Sequence, residues 1–462
     1  MLQSKLKASY DWVILGIYLS LLCIGWMTYY AISYPQNADQ DLLSLSTPIT
    51  KQSLYILIAL GVLLFTLLIG WKLWQTFAYV VYGVGIFLLV LVLIIGAEIK
   101  GAKAWFSFGS FSFQPAEIAK LGTALAMASF LSNFKTDLKI RQYQLIGVGI
   151  VLLPVFLILL QPDAGSAITF FTFFILMFLV GLNEVYYLIG LLLFITFILG
   201  FLVPFDAFVF GIICAAIIAC WYFSKRFQFH LIVLLLAIAT VVASAIFLNH
   251  LYAFGVGGFV LLLYLGQLWR SRQERMSIML VGGILLLIGF SLFSNSLFQS
   301  LEPHQQERIK VWLKPEECDP RGSLYNILQS KVAIGSGGFW GKGFLQGNMT
   351  KLKFVPEQST DFIFSTIGEE HGFVGSLTVI VLYFVLIFKI LRSAESHPNK
   401  FISYYSIAFA GLLFIHVLIN IGMTIGLVPI IGIPLPFISK GGSSLIGMSL
   451  MLGIYLRMHS RT

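Results

Sequence analysis

Long apolar runs, separated by short polar breaks, recur along almost the whole chain. A helix that crosses a bilayer needs about 20 mostly apolar residues, and these runs have that length. They predict about 14 transmembrane helices, which begin near Trp12, Ser53, Phe77, Ala116, Tyr143, Ser166, Tyr186, Ala207, His230, Leu251, Ser277, Gly372, Phe401 and Gly441. The pattern predicts an all-α polytopic membrane protein.

The composition supports this reading, because 58% of the 462 residues are hydrophobic and only 11% are charged. These values lie outside the usual range for a soluble globular domain. The fourth predicted helix is the weakest of these predictions, because Glu117 and Lys120 sit near its start. The first run lacks a small-residue cleavage site, so we expect an anchor and not a cleaved signal peptide.

Lys and Arg fall in alternate short loops, as expected when cationic loops stay in the cytoplasm. Both termini are then cytoplasmic, and the basic inner loops carry Lys72, Lys135, Lys139, Arg141, Lys225, Arg226, Arg270, Arg272, Arg275, Lys389, Arg392 and Lys400. One long loop, from about 295 to 370, is predicted outside although it holds eight basic residues between Arg308 and Lys353. Long loops translocate largely regardless of charge.

The net charge of +9 therefore has two sources. The inner cations follow from topology and need no ligand, whereas those of the outer loop point to anionic lipid headgroups or a phosphorylated substrate. No nucleic-acid partner is expected. Cys23, Cys214 and Cys220 lie in apolar runs and leave Cys318 alone outside, which argues against a disulfide framework or a thiolate metal site.

Polar chemistry concentrates in four places, all on the predicted outer side. They are GAKAWFSFGSFSFQPAEIAK (Gly101 to Lys120), QPDAG (Gln161 to Gly165), the long loop from CDPRG at Cys318 through FVPEQSTDFIFSTIGEEHG at Phe354 to Gly372, and GLVPIIGIPLPFISKGGSS (Gly426 to Ser444). In the last segment, Pro434, Pro436 and the paired glycines Gly441 and Gly442 predict non-helical backbone at membrane depth, which requires cover by protein or a watery cavity. Together they predict one polar site open to the outer face.

Individual residues allow more than one reading. Glu117 and Lys120 share a helical face and predict an interior ion pair, which is compatible with substrate contact. Asp163 fits a helix cap best. Trp105 is either an interfacial belt residue or a platform for a sugar ring. Asp319, alone, is an ordinary loop carboxylate that could serve as general base or bind a divalent cation.

The outer loop contains two further features. The glycines between Gly335 and Gly343 would allow close backbone approach or free amides toward an anion. The acidic residues Glu357, Asp361, Glu369 and Glu370 are too many for helix caps alone. Some of them should face a polar cavity or pair with cations of the same loop.

Six motifs in this order resemble the shape, elongation, division and sporulation (SEDS) family, and its RodA branch more closely than its FtsW branch. They are GAKAW at Gly101, SFQPAEIAK at Ser112, QPDAG at Gln161, DPRG with QSKVAIGSGGFWGKG at Asp319 to Gly343, PEQSTDFIFSTIGEEHGFVG at Pro356 and GIPLPFISKGGSS at Gly432. The resemblance spans nearly the whole chain apart from its middle. The sequence differs from the family pattern at Lys440, where the family usually has an aromatic residue, and in the stretch GSLYN.

The resemblance implies a peptidoglycan glycosyltransferase of the bacterial inner membrane, acting in cell elongation. The implied partners are lipid II, membrane lipids, a class B penicillin-binding protein transpeptidase and other elongation-machinery proteins. The family has about ten spans, so the four extra ones are assigned to an insertion at 206–276, between core parts 1–205 and 277–462. A lipid II flippase and a noncatalytic scaffold are the alternative functions.

The family's essential outer-loop aspartate corresponds to Asp319, which makes it the candidate catalytic base and possible ligand of Mg²⁺ or Mn²⁺. No organic cofactor is expected. The inferred substrate-binding set is Lys103, Trp105, Glu117, Lys120, Lys331, Glu357, Asp361 and Ser443. The lysines among them would stabilise the departing diphosphate.

Overall fold

The structure is a computed structural model that describes residues 11–37, 47–99, 101–108, 111–223, 250–270, 274–320 and 322–460. The chain divides into two compact units, one of Met1–Asn183 with Asp319–Thr462 and the other of Glu184–Cys318. Both units are mainly helical within their described residues. The predicted insertion at 206–276 falls inside the second unit, and its exact bounds stay a prediction.

The first unit contains most of the helices and the small sheet. Its elements are α1 (Trp12–Asn37), α2 (Pro48–Leu68), α3 (Trp71–Thr76), α4 (Ala78–Ile95), β1 (Ala97–Ile99), β2 (Ala102–Phe108), β3 (Phe111–Phe113), α5 (Pro115–Ser132), α6 (Arg141–Leu159), α7 (Ala164–Thr169) and α8 (Thr172–Val180). The second unit follows with α9 (Val185–Leu202), α10 (Phe205–Phe223), α11 (His250–Arg270), α12 (Glu274–Ser300), α13 (Pro303–Leu313) and a 3₁₀ turn at Pro315–Glu317. The first unit then resumes with α14 (Ser323–Ser336), α15 (Asn348–Lys351), α16 (Ile363–Ser396), α17 (Lys400–Thr424) and α18 (Gly442–His459).

Eight helices in the described part of the chain are long and apolar enough to cross a membrane, namely α1, α2, α4, α6, α9, α12, α16 and α17. Every predicted start but one lies in or beside a helix, and the one at His230 lies outside the described residues. Two predicted spans differ in detail. The sixth is broken between α7 and α8, and the twelfth begins earlier, at Ile363, with a break at Gly372. A multi-pass membrane protein is indicated, and the total of 14 spans stays a prediction.

The segment expected to form one long loop, about 295 to 370, is largely helical. It contains the end of α12, then α13, α14 and α15, and the first turns of α16. Many polar and charged residues give this segment a composition that resembles a loop.

The segment before α5, which was predicted to lie outside, forms an antiparallel three-stranded sheet in the order β1-β2-β3. Ala97 pairs with Trp105, and Phe106 pairs with Phe113. Side chains alternate along β2, where Ala104 and Phe106 are buried. This hairpin leads directly into the start of α5.

Helix α5 carries the charged residues Glu117 and Lys120, and 15 of its 18 residues are buried. Small residues allow neighbouring helices to approach closely, as where a Cβ at Gly122 would lie 2.8 Å from the Cα of Tyr82 in α4. Helix α5 packs against α4, α17 and α18. A helix surrounded by protein does not need an apolar outer face, which explains its composition.

The second unit has its own apolar centre. Ile213 and Ile217 of α10 and Leu268 of α11 form a buried cluster. Helix α12 packs against α9, α10 and α11. The predicted apolar block therefore contributes helix packing within this unit.

The glycine-rich stretch after α14 packs against the break in α16. Lys342 donates its backbone N–H to the carbonyl of Glu369 at 3.1 Å, and Phe373 donates to the carbonyl of Gly338 at 2.9 Å. Gly372 has φ 64° and ψ −157°, which ends the first part of the helix. The sequence predicted that these glycines leave their amide groups available to an anion. Several of them instead take part in this backbone contact.

A methyl group at the break would have no room. A Cβ on Gly372 would overlap the amide nitrogen of Gly341, and a Cβ on Gly341 would overlap the carbonyl of Glu370. The two glycines are therefore required by close approach as well as by their positive φ angles.

We expect Gly372→Ala to lower the stability of the folded protein by about 3 kcal/mol or more, because it combines a backbone clash with an unfavourable φ. Gly335→Ala on α14 is the matched control, since no atom lies within 4 Å of its added Cβ. Thermal unfolding in detergent measures both. An unchanged midpoint for Gly372→Ala would show that the break is not a tight contact.

Candidate functional site

Gln114, the residue before α5, joins three of the four polar segments. Its side-chain amide donates to Asp163 Oδ2 at 2.8 Å and to Ser166 Oγ at 3.1 Å. Its backbone N–H donates to Ser443 Oγ, at the start of α18, at 3.0 Å. The predicted convergence of these segments is therefore a direct set of hydrogen bonds.

Asp163 caps α7, as predicted. Its Oδ1 accepts the N–H of Ser166 at 3.0 Å, while its other oxygen accepts from Gln114. Gly165 lies next to the last polar segment, since a Cβ there would sit 2.9 Å from the carbonyl oxygen of Ile431. Asp163 thus ties the second segment to the first, and Gly165 lies against the fourth.

The non-helical backbone before α18 is held against the acidic block of the third segment. Ser439 donates its hydroxyl to the carbonyl of Thr360 at 2.6 Å, and Lys440 donates its N–H to the carbonyl of Ser359 at 2.9 Å. Asn420 of α17 donates to the carbonyls of Asp361 at 3.0 Å and Ile433 at 2.7 Å. Protein groups therefore satisfy this irregular backbone, as membrane depth requires.

The interior pair expected between Glu117 and Lys120 forms. Lys120 Nζ lies 2.9 Å from Glu117 Oε1, and the two side chains are 2% and 4% exposed. Nζ also lies 3.2 Å from His416 Nε2 of α17. Gly447 of α18 covers the pair, because a Cβ there would lie 3.1 Å from the Cβ of Glu117.

The chemistry of this triad assigns its protons. An ammonium group only donates, so Nε2 of His416 accepts, and the ring proton belongs on Nδ1. Nδ1 lies 2.8 Å from the carbonyl of Leu412, which is the acceptor for that proton. The triad therefore consists of one cation, one anion and a neutral imidazole.

Other members of the predicted substrate-binding set lie around this junction. Trp105 is half-buried on β2, and Ser443 accepts from Gln114. Lys103 donates its ammonium to the carbonyl of Ile94 at 3.1 Å, at the end of α4. Lys103 thus caps a helix in this arrangement and does not join the buried triad.

The acidic residues of the third segment take different roles. Glu369 is fully buried and accepts from Lys342 Nζ at 2.7 Å, which confirms pairing within the loop. Glu357 is exposed, with φ 54°, and accepts from the hydroxyl of Thr360 at 3.1 Å. Asp361 is half-buried, and a Cβ on Gly432 would lie 3.4 Å from its Oδ2.

Asp319 lies on an exposed turn just before α14, where its carbonyl accepts the N–H of Gly322 at 3.1 Å. Helix α14 is anchored to α17, because Ser330 donates to the carbonyl of Thr424 at 2.8 Å. The exposed Lys331 is the next residue of α14, and the end of its side chain lies over Gly426. Asp319 is therefore an accessible carboxylate beside a helix held by the polar face of α17.

The neighbouring Cys318 does not have the character of a nucleophile. Burial raises the pKa of its thiol, and the nearby Glu307 raises it further. A thiol of raised pKa is poorly ionised near neutral pH. Within the ranges that the structure describes, no three His, Cys, Asp or Glu side chains come together to hold a metal ion.

Sequence reasoning missed three residues that organise the site: Gln114, His416 and Asn420. All three lie within or beside apolar sequence, and His416 and Asn420 are fully buried on one face of α17. An ionisable or amide side chain inside a membrane-crossing helix was the available signal, since such groups seldom occur there without a partner. Pairing them with Lys120 required tertiary structure.

Breaking the buried pair should be costly. We expect Glu117→Gln to destabilise the protein by about 3–5 kcal/mol, because it leaves the Lys120 ammonium buried without its counter-ion. The double variant Glu117→Gln with Lys120→Met should recover most of that loss. Thermal unfolding in detergent provides the measurement.

The exposed pair Lys314–Glu317, separated by 3.2 Å, supplies the control, and Glu317→Gln should change stability little. Equal effects of Glu117→Gln and Glu317→Gln would contradict the assignment of Glu117 as the essential counter-ion.

Comparison with known proteins gives matches along the whole chain. A family model described as "Cell cycle protein", FTSW_RODA_SPOVE, matches residues 11–207 and 208–462. The peptidoglycan glycosyltransferase RodA of Treponema pallidum is 28% identical over 455 residues, covering 98% of each chain. The peptidoglycan glycosyltransferase MrdB of Escherichia coli K12 is 29% identical over 458 residues, covering 98% of this chain and 96% of that protein.

Two solved structures have a similar fold. A chain from a structure on the coordination of polymerization and crosslinking by a peptidoglycan synthase complex matches with a TM-score of 0.61 at 25% identity, covering 98% of both chains. The rod shape determining protein RodA of Thermus thermophilus matches with a TM-score of 0.55 at 24% identity, over 98% of this chain and 97% of its own. The second likeness supports the fold alone.

Proposed function

The chain belongs to the FTSW_RODA_SPOVE family, and on that premise we propose how it acts. It is a peptidoglycan glycosyltransferase, as its relatives in Treponema pallidum and Escherichia coli are. The observation that carries the proposal is the family match along almost the whole chain, combined with the joining of the motif segments at Gln114. One polar junction built from these segments suits a single reaction centre.

The proposed substrate is lipid II, the undecaprenyl-diphosphate-linked disaccharide pentapeptide. Its long prenyl chain suits a protein with many apolar helices, and its sugars and diphosphate would meet the outer polar segments. The orientation expected from the Lys and Arg pattern places the site outside the inner membrane of a bacterium, with both termini in the cytoplasm.

Asp319 is the proposed general base. Its carboxylate takes the proton from the 4-hydroxyl of the acceptor sugar as that oxygen forms a bond to C1 of the donor sugar. The bond from C1 to the diphosphate breaks on the opposite side, so the configuration at C1 inverts and undecaprenyl diphosphate leaves. The exposed position of Asp319 supports this role, since a base must reach its substrate.

The predicted cations are not equally placed to meet the diphosphate. Lys331 is exposed above Gly426 and is the best candidate for direct contact. Lys120 is only 2% exposed, so it serves the contact between α5 and α17 and not the diphosphate. Lys103 already donates its ammonium group to the carbonyl of Ile94. We therefore assign charge stabilisation of the leaving group first to Lys331.

A divalent cation such as Mg²⁺ or Mn²⁺ remains compatible with Asp319. Because the described residues gather no three-ligand protein site, diphosphate oxygens and water would have to supply the other ligands. Mg²⁺ is often held in that way, through one carboxylate and substrate phosphates. The ion would neutralise charge on the leaving diphosphate.

A class B penicillin-binding protein is the proposed partner, together with other proteins of the elongation machinery. The similarity to a chain of a peptidoglycan synthase complex supports such an assembly. A partner that crosslinks the glycan would act on the product as it leaves the outer face.

The test uses purified protein, fluorescent lipid II and a gel that resolves glycan chains, with and without the transpeptidase. Asp319→Asn should reduce polymer formation by about 100-fold or more, because it removes the base and keeps the side chain's size. Glu316→Gln is the matched control, an exposed carboxylate three residues earlier in the chain, and should retain activity.

Lipid II translocation across vesicles without polymer would favour a flippase over a polymerase. Full polymerisation by Asp319→Asn would overturn the role given to this residue, while leaving the family assignment unaffected. Polymer produced only by the added transpeptidase preparation would support a scaffold.

A further inference from the structure

The turn that follows α15 has the sequence KLKF, from Lys351 to Phe354, and is called the basic turn here. All four residues are exposed, and Leu352 and Phe354 are 66% and 41% exposed. Two cations thus alternate with two apolar side chains on one short surface segment, which the reaction proposed above does not use.

Lys353 has a backbone conformation that favours glycine. Its φ is 54°, its N–H donates to the carbonyl of Thr350, and Phe354 donates to the carbonyl of Met349. This pair of hydrogen bonds is the Schellman pattern, in which the left-handed residue is usually glycine. A lysine at this position is unfavourable for the backbone, which suggests that its side chain has a function.

The basic turn rests on a rigid base. The buried carboxylate of Glu369 accepts from the N–H groups of Met349 and Thr350 at 2.9 and 2.8 Å, and from the Thr350 hydroxyl at 2.8 Å. Lys342 completes this contact at 2.7 Å. Four donors therefore fix α15, and with it the direction of the turn.

Contacts with α1 indicate the level of the basic turn relative to the membrane. The ring of Phe344 stacks on Tyr30 at 6.4 Å, close to the end of the Trp12–Tyr34 span. Trp26 also stacks with Tyr30, with ring centroids 5.6 Å apart. Because aromatic rings collect at the membrane interface, this places α15 and the basic turn at that level.

The charge around the basic turn indicates which kind of ligand it binds. The stretch 337–356 contains three lysines and no Asp or Glu, and Lys342 is already paired with Glu369. Neither Lys351 nor Lys353 forms a salt bridge within 4 Å of a carboxylate in the part of the chain that the structure describes, although Lys351 is electrostatically attracted to Glu370. Cations at the interface, with apolar neighbours that can enter the acyl region, are suited to lipid phosphate groups.

We propose that the basic turn is a binding site for anionic phospholipid, in which Lys351 and Lys353 contact the headgroup phosphate and Leu352 and Phe354 enter the acyl layer. The site would retain an anionic lipid beside the contact of α1 with α15. It shares no residue with the reaction proposed above and does not depend on it.

The test adds phosphatidylglycerol, phosphatidylcholine or undecaprenyl diphosphate to the whole protein in detergent and counts the bound lipids by native mass spectrometry. The double variant Lys351→Gln with Lys353→Gly should bind phosphatidylglycerol about 10- to 30-fold more weakly. Binding of phosphatidylcholine should not change. Lys135→Gln with Lys139→Gln, which removes two exposed cations elsewhere, should keep wild-type binding of both lipids.

Lys353→Gly also reports on folding, because glycine suits the left-handed position and should leave the thermal midpoint equal or higher. Unchanged phosphatidylglycerol binding in the double variant would overturn the proposal. So would an equal loss of both lipids, or a loss confined to added undecaprenyl diphosphate, which would make the turn a substrate contact.

Discussion

The rest of the site depends on one constraint: a charge buried among membrane-crossing helices must have a partner within reach. Lys120 meets this constraint through Glu117 on its own helix and His416 on α17. The pair occupies a helix with many small side chains, so that α17 and α18 can pack closely around it. From this contact the polar face of α17 continues outward to Asn420 and Thr424, which bind the acidic block and α14. One buried charge thus determines how α17 faces α5.

The same requirement governs the irregular backbone. Peptide groups outside helices and sheets need partners wherever water is excluded, and the stretch before α18 finds them in Asn420, Ser439 and Tyr383, whose hydroxyl donates to the carbonyl of Pro436. At the break in α16, Gly372 allows a second chain segment to approach closely enough for backbone hydrogen bonds. Irregular backbone therefore occurs where the motif segments meet, because only there do enough donors and acceptors surround it.

A division of roles follows from burial. Groups that hold the site together, such as Lys120 and Glu369, are almost completely enclosed. Groups proposed to meet substrate or lipid, such as Asp319, Lys331 and Lys353, are exposed on turns and short helices attached to that framework. This arrangement keeps reactive and binding groups accessible while buried contacts determine their positions. The same division applies to the proposed base Asp319 and to the proposed lipid-binding turn, which are both exposed.

Sequence alone determined the membrane-spanning class, most helix positions and the four polar segments, because hydrophobic run length and the local chemistry of Gly, Pro and Asp act over short distances. It also indicated the Glu117–Lys120 pair, whose members are one helical turn apart. It did not indicate that 295–370 is largely helical, nor that Gln114 and His416 connect distant segments. Those contacts join residues far apart in the chain, and no local pattern encodes which buried polar group will find which partner. Tertiary structure decided them, because the cost of an unpaired polar group in an apolar interior is settled only when helices pack.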